Sequence, residues 1–264
     1  MEIIKSFLFV SIILLIYSCS DTITNPVESS LPVKLYPYET IYDAETFKAR
    51  REALVNIIPN NAFALVSTND VYLRNGDVDF EFRPASNFFY LTGLEEPNAI
   101  AIIRKRVFGG QSGLAPTTDL SELILFVEER GGYLTQWLGP VYGPEGAMEY
   151  FNADTAYGIT EFKSVIRSIL DAQLYQSVYT NLEANETLAD SFYNCGSIIP
   201  TELDVNEIVD NQRVVKSQIE IDLIQRATDV SVQGFQEAMT AQMAIISYRE
   251  NRKVFWDPDQ QKII

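Results

Sequence analysis

The chain contains no histidine. That removes the commonest metal ligand, the usual general base near neutral pH and the middle member of a Ser–His–Asp triad. Cysteine is nearly as scarce. There are 2, Cys19 and Cys195, which cannot make a disulfide framework. A metal held by this sequence alone would rest on carboxylates, because Cys195 is the only thiol outside the N-terminal apolar segment. Positive charge is short as well: 20 Lys and Arg stand against 36 Asp and Glu, a formal net charge of −16. No basic run reverses this locally. Such a surface repels phosphate backbones and excludes nucleic acid as the expected partner.

The 264 residues suffice for one large domain or two small ones. With 47% hydrophobic and 21% charged residues, the composition is that of a packed globular protein. Lys5 precedes an apolar run from Phe7 to Tyr17. That run is too short for a comfortable membrane span and reads as a signal-peptide core covering residues 1–18. Ile16-Tyr17-Ser18-Cys19 resembles a bacterial lipobox, which would make Cys19 the lipidated, mature N-terminus. The alternative is a plain secretory leader with an incidental cysteine. Residues 19–42 are rich in Ser, Thr, Asn and Pro and read as an extended tether. The expected location is the cell envelope, with a membrane-anchored lipoprotein on the periplasmic or surface face.

Asp43 is placed to N-cap a helix running to about Ile58, stopped by Pro59. Ala62 to Ser67 reads as a buried strand. Arg74-Asn75-Gly76-Asp77 is turn chemistry, and Phe80 and Phe82 alternate with acids as in a half-buried strand. Phe88 to Leu91 forms another aromatic segment. Ala99 to Val107 and Leu123 to Val127 predict paired central strands, joined by a polar loop from Gly109 to Thr118. Pro144 to Phe151, Ile159 to Leu170 and Glu186 to Tyr193 predict helices, with a strand from Val178 to Leu182. Helices alternating with strands predict an α/β fold around a largely covered sheet. Ser217 and Glu220 form a capping box, after which Ile219, Leu223, Ala227 and Val230 share one helix face.

Few residues suggest chemistry by themselves. Asp77 and Asp79 share a face and could hold a cation, but turn capping and a solvated strand face explain them better. Arg74 and Arg83 could orient a substrate carboxylate; ion pairs with Asp77, Asp79 or Glu81 are the favoured reading. Phe88, Phe89 and Tyr90 read as core, and so does Cys195. Gly139, Gly143 and Gly146 lack the spacing of a dinucleotide fingerprint.

Three blocks together carry a resemblance. The first runs from Arg74 to Ala99: an Arg-Asn-x-Asp turn, an aromatic and Arg segment, Phe-x-Tyr-Leu-Thr-Gly and Glu96-Pro97. The second is Thr135-Gln136-Trp137-Leu138-Gly139. The third runs from Arg213 to Ala227, with an Arg-x-x-Lys-Ser-x-x-Glu-Ile pattern. Their order, from about Glu45 to Gln242, resembles the N-terminal domain of aminopeptidase P and its prolidase and creatinase relatives. Asn87 departs from that pattern, where Asp is common. The resemblance implies a creatinase-type N-terminal domain over 43–205, a central mixed sheet flanked by helices. A linker and the first helix of a truncated pita-bread catalytic domain follow over 206–242, then a divergent tail over 243–264. It further implies an Xaa-Pro metallo-aminopeptidase acting on proline-containing peptides, a homo-oligomer, and two manganese ions in the full-length family held by two Asp, two Glu and a His. No such ligand set can be placed in this chain, so no cofactor and no catalytic residue are expected in it. Phe89 occupies the position that approaches an active site in the family, often that of a neighbouring subunit, and Arg83 and Tyr90 flank the same entrance. The expected function is therefore the N-terminal portion of such an enzyme, inactive alone. The alternative is a non-catalytic, surface-anchored binding or assembly module.

Overall fold

The computed structural model describes residues 42–106, 120–260 and 262–264. The leader, Cys19 and most of the tether lie outside the described residues, as does the loop from Gly109 to Thr118. The first helix, α1 (Ala44–Ile57), is started by Asp43, whose carboxylate accepts the Thr46 N–H at 2.8 Å. It ends just before Pro59, which cannot donate the next helical hydrogen bond.

Six strands form the main sheet: β1 (Ala62–Ser67), β4 (Ile100–Lys105), β5 (Ser121–Val127), β6 (Thr155–Gly158), β7 (Ser177–Thr180) and β8 (Thr201–Asp204). Their order is β6-β5-β4-β1-β7-β8. The β4 strand pairs antiparallel with both β1 and β5, and the outer pairs are parallel, so the sheet is mixed. Alternation divides its side chains between two cores. Ala64 and Val66 of β1, Ala101 and Ile103 of β4 and Leu123 and Leu125 of β5 lie in one. Phe63 and Leu65, Ile100 and Ile102, and Ile124 and Phe126 lie in the other.

The first core is covered by α1 through Leu54 and Val55, by α2 (Ser86–Thr92) through Phe88 and Leu91, and by Ala147 of α4 (Gly143–Phe151). The short α3 (Tyr133–Leu138) precedes α4. The second core is closed by α5 (Phe162–Asp171), through Phe162 and Ile166, and by α6 (Glu186–Tyr193), through Leu188 and Phe192. Cys195 packs there too. Helix α7 (Asn206–Val214) sends Val209 into the first core beside Val205, so packing continues past the strand region into the segment read from sequence as a linker.

One segment differs from the sequence expectation. Phe80 to Phe82 is not a strand. A small hairpin, β2 (Leu73–Asn75) with β3 (Val78–Asp79), turns on Gly76 at φ 58 and is closed by the Phe80 N–H donating to the Tyr72 carbonyl at 2.9 Å. Period-two alternation makes a strand only where a neighbouring edge is available to pair, and no strand pairs with Phe80 to Phe82. Phe80 is left 57% exposed. The aromatic segment at Phe88 is helical, and α2 stops at Gly93 in the left-handed region, φ 76. A side chain at Gly93 would also meet the Phe47 ring at 2.7 Å.

The last helix, α8 (Gln218–Glu250), begins with the expected capping box: the Ser217 N–H donates to Glu220 Oε2 at 2.7 Å. It runs unbroken past Gln242, where the sequence periodicity fades, and a short hairpin of β9 (Trp256–Asp257) and β10 (Lys262–Ile263) follows. No residue of α8 is buried, and Ile224, Val230 and Phe235 are all largely exposed. Among the described residues no helix is long and apolar enough to cross a membrane.

Candidate functional site

The segment Arg83–Tyr90 and the start of α8 face each other across a cleft of about 490 Å³. Arg83, Phe89 and Tyr90, the three residues expected at an entrance, all line it. So do Arg50, Glu95, Arg213 and Glu220, which the sequence did not single out for this role. The chain reaches this arrangement because α2 is amphipathic. Phe88 and Leu91 are buried beneath it, which turns Phe89 and Tyr90 toward the cleft, half-buried.

Arg50 is the structural pivot. Its guanidinium donates to the Tyr90 carbonyl at 3.2 Å and to Glu220 Oε1 at 3.3 Å. It also lies 4.1 Å from the Tyr90 ring centroid and 4.7 Å from that of Tyr42. Burial raises the Glu220 carboxyl, but the Ser217 N–H and hydroxyl and the Arg50 charge outweigh it and hold the group below its ordinary value. Burial likewise pushes the Tyr90 phenol up, against the pull of Arg50. The Arg50–Glu220 pair thus ties the foot of the otherwise exposed α8 to α1.

Arg213 donates to Asn87 Oδ1 at 2.7 Å, and Asn87 donates to Asn206 Oδ1 at 2.9 Å and Asp210 Oδ1 at 3.1 Å. An amide at position 87 serves both neighbours, where a carboxylate would have to face Asp210. Arg83 behaves differently from expectation. Among the described residues it has no ion pair, with Asp77, Asp79, Glu81 or any other carboxylate. Its backbone is held instead, the Arg83 carbonyl accepting from Asn69 Nδ2 at 2.9 Å, and the side chain lines the cleft and a smaller neighbouring cavity. Exposed ion pairs gain too little to order a long side chain, so local charge density was a poor guide. Arg74 likewise has no carboxylate partner among the described residues, and its guanidinium sits 5.9 Å from the Phe80 ring centroid.

Sequence reasoning also passed over Glu96, noticed only as part of a Glu-Pro pair. It is 3% exposed. Oε1 accepts the Tyr142 N–H at 2.9 Å, and Oε2 is buried without a hydrogen-bond partner. Burial pushes its carboxyl up to about 7, against the opposing effects of the Tyr142 N–H and Arg130. Through this bond Glu96 pins the segment that follows Gly139, next to the exposed Trp137 of α3.

The dinuclear manganese centre implied by the resemblance does not fit these residues. Among the described residues no three His, Cys, Asp or Glu side chains converge, and Asp77 and Asp79 stand exposed on the small hairpin.

Comparison with known proteins identifies the family. Residues 47–179 match the family model described as the aminopeptidase P N-terminal domain. An Xaa-Pro aminopeptidase of Haemophilus influenzae is 31% identical over 198 residues, 74% of this chain and 42% of that protein. A mitochondrial intermediate cleaving peptidase 55 of Arabidopsis thaliana is 26% identical over 203 residues, 74% of this chain and 37% of that protein. The fold superposes on zinc-substituted E. coli aminopeptidase P with a TM-score of 0.65, at 23% identity, over 75% of this chain and 45% of that one. Pseudomonas aeruginosa aminopeptidase PepP gives 0.63 at 25% identity, with 75% and 44% covered. The chain therefore spans less than half the length of these relatives. With its mixed six-stranded sheet, its aromatic segment over Phe88–Tyr90 and a family match over half its length, the chain belongs to the aminopeptidase P N-terminal domain family.

Proposed function

We propose that this chain is the N-terminal portion of a lipid-anchored Xaa-Pro metallo-aminopeptidase, shaping the substrate entrance and oligomer contacts and inactive alone. The observation that carries the reading is the convergence of Arg83, Phe89 and Tyr90 on one cleft at the foot of α8. A helix of this length with no buried residue suits a face that further chain, or a second subunit, would cover. Substrates would be peptides with proline in the second position. The two manganese ions expected in the full-length family would be held outside the described residues.

A domain exchange tests the entrance role. Residues 42–214 replace the matching domain of the Haemophilus influenzae relative, and release of the N-terminal residue from an Arg-Pro-Pro peptide is measured. The exchange is expected to keep turnover, and Phe89→Ala within it to lower kcat/KM about tenfold, the scale of a lost aromatic contact. A folded but inactive exchange protein, or a Phe89→Ala variant with unchanged kcat/KM, contradicts the reading.

Anchoring is a separate part of the proposal, supported by Cys19 standing directly after the apolar leader. The mature N-terminus is expected to be an acylated Cys19. Mass spectrometry showing an unmodified cysteine or a retained leader removes the anchor and the envelope location with it.

A further inference from the structure

The stretch from Glu128 to Tyr142 joins β5 to α4 and carries α3 between two glycines. Gly132 has φ 58 and ψ −124, and Gly139 has φ 79 and ψ 169, conformations in which a side chain would be strained. No described side chain of α3 is buried. Its Tyr133 and Trp137 rings lie 5.8 Å apart, and both are largely exposed. Polar bonds fasten the stretch instead. Arg130 makes a forked pair with Glu128, at 3.0 and 3.2 Å. Its Nη1 donates to the Leu138 carbonyl at 2.9 Å and to the Gly139 carbonyl at 3.2 Å. Asn98 Nδ2 donates to Glu128 Oε2 at 3.3 Å. The far end is fastened by the Tyr142 N–H donating to Glu96 Oε1 at 2.9 Å.

This last fastening is imperfect. Glu96 is buried, yet its Oε2 has no partner, so an ionised carboxylate there forgoes hydrogen bonds that water would supply. Arg130 and Glu128 are the charged groups that act on it, with opposite signs, and burial outweighs both. We propose that Glu96 is a proton-operated catch: protonated, it holds the Glu128–Tyr142 strap closed, and ionised, it lets α3 swing out on its two glycines so that the carboxylate reaches water. The step releases one proton from the Glu96 carboxyl to solvent. A group that holds its proton more tightly in the closed form favours closure at low pH and opening at high pH. The closed carboxyl lies at about 7 against an ordinary 4.5, so closure is fully favoured below about 4.5 and lost as pH rises through about 7. The catch goes beyond the entrance role and does not rest on it.

The test is amide hydrogen exchange of the full chain near pH 5 and near pH 8, corrected for the intrinsic pH dependence of exchange. It is read at Tyr142 and across α3, with the amides of β4 as internal reference. Opening of the strap is expected to rise about tenfold or more from the lower pH to the higher, while β4 keeps its protection. Glu96→Gln keeps the acceptor for the Tyr142 N–H and cannot ionise. It is expected to remove the pH dependence, with unchanged circular dichroism. Strap exchange in the wild type that does not change with pH overturns the proposal. So does a rise of the same size in Glu96→Gln, or one shared equally by β4.

Discussion

Replacing Glu96 by Gln is expected to stabilise the protein above pH 7 and to flatten its stability between mildly acid and mildly alkaline conditions. The native carboxyl is raised from 4.5 to about 7 by burial. A group whose folded pKa lies above its unfolded value binds its proton more tightly when folded. Its contribution is therefore most favourable below about 4.5 and is lost as pH rises through about 7. That displacement corresponds to about 3 kcal/mol at most. Gln keeps the acceptor for the Tyr142 N–H and carries no charge into the site where Oε2 has no partner. Urea unfolding of both proteins near pH 5 and near pH 8 reads the effect. The gap between them should open in favour of Glu96→Gln at the higher pH. A wild type that loses no stability relative to the variant would show that Glu96 is not buried as a strained carboxylate.

Phe126→Ala is expected to cost about 3–5 kcal/mol, a large part of the whole stability of an ordinary domain. Phe126 is fully buried on β5, with its ring 5.2 Å from Phe162 in an edge-on contact and 5.5 Å from Tyr157 in a stacked one. Truncation removes the ring from both and leaves a cavity between the sheet and α5. Phe235→Ala on α8 is the internal control. That ring is 77% exposed, and its loss should change stability by less than about 0.5 kcal/mol. Equal denaturation midpoints for the two variants would contradict the burial pattern on which the fold rests.

Much of the sheet was readable before the structure, for physical reasons. β1, β4 and β5 are buried on both faces, so they appear as continuous apolar runs bounded by turns. The helices with clear start signals, Asp43 for α1 and Ser217 with Glu220 for α8, were placed by caps. β8 left no such mark, being exposed at every residue and held by pairing with β7. Phe80 to Phe82 gave the pattern of a strand without the partner that makes one. The site was legible only in part. Phe89, Tyr90 and Arg83 came from the resemblance, and composition alone pointed to core and ion pairs. Glu95 and Glu96 were not singled out: Glu96 figured only in the Glu-Pro pair of the first block, and Glu95 not at all.

The peptidase reading stands or falls most directly on turnover by the chain itself. A hydrolytic dinuclear site needs a rigid donor set and a positioned nucleophile. This sequence has no histidine, and the described carboxylates do not converge. The measurement is release of the N-terminal residue from an Arg-Pro-Pro peptide by the purified full chain in manganese buffer, with and without chelator. The expected result is release no faster than the buffer blank in both conditions. Chelator-sensitive turnover that survives further purification would contradict it, and would mean that the family's chemistry is assembled from residues assigned here to structure.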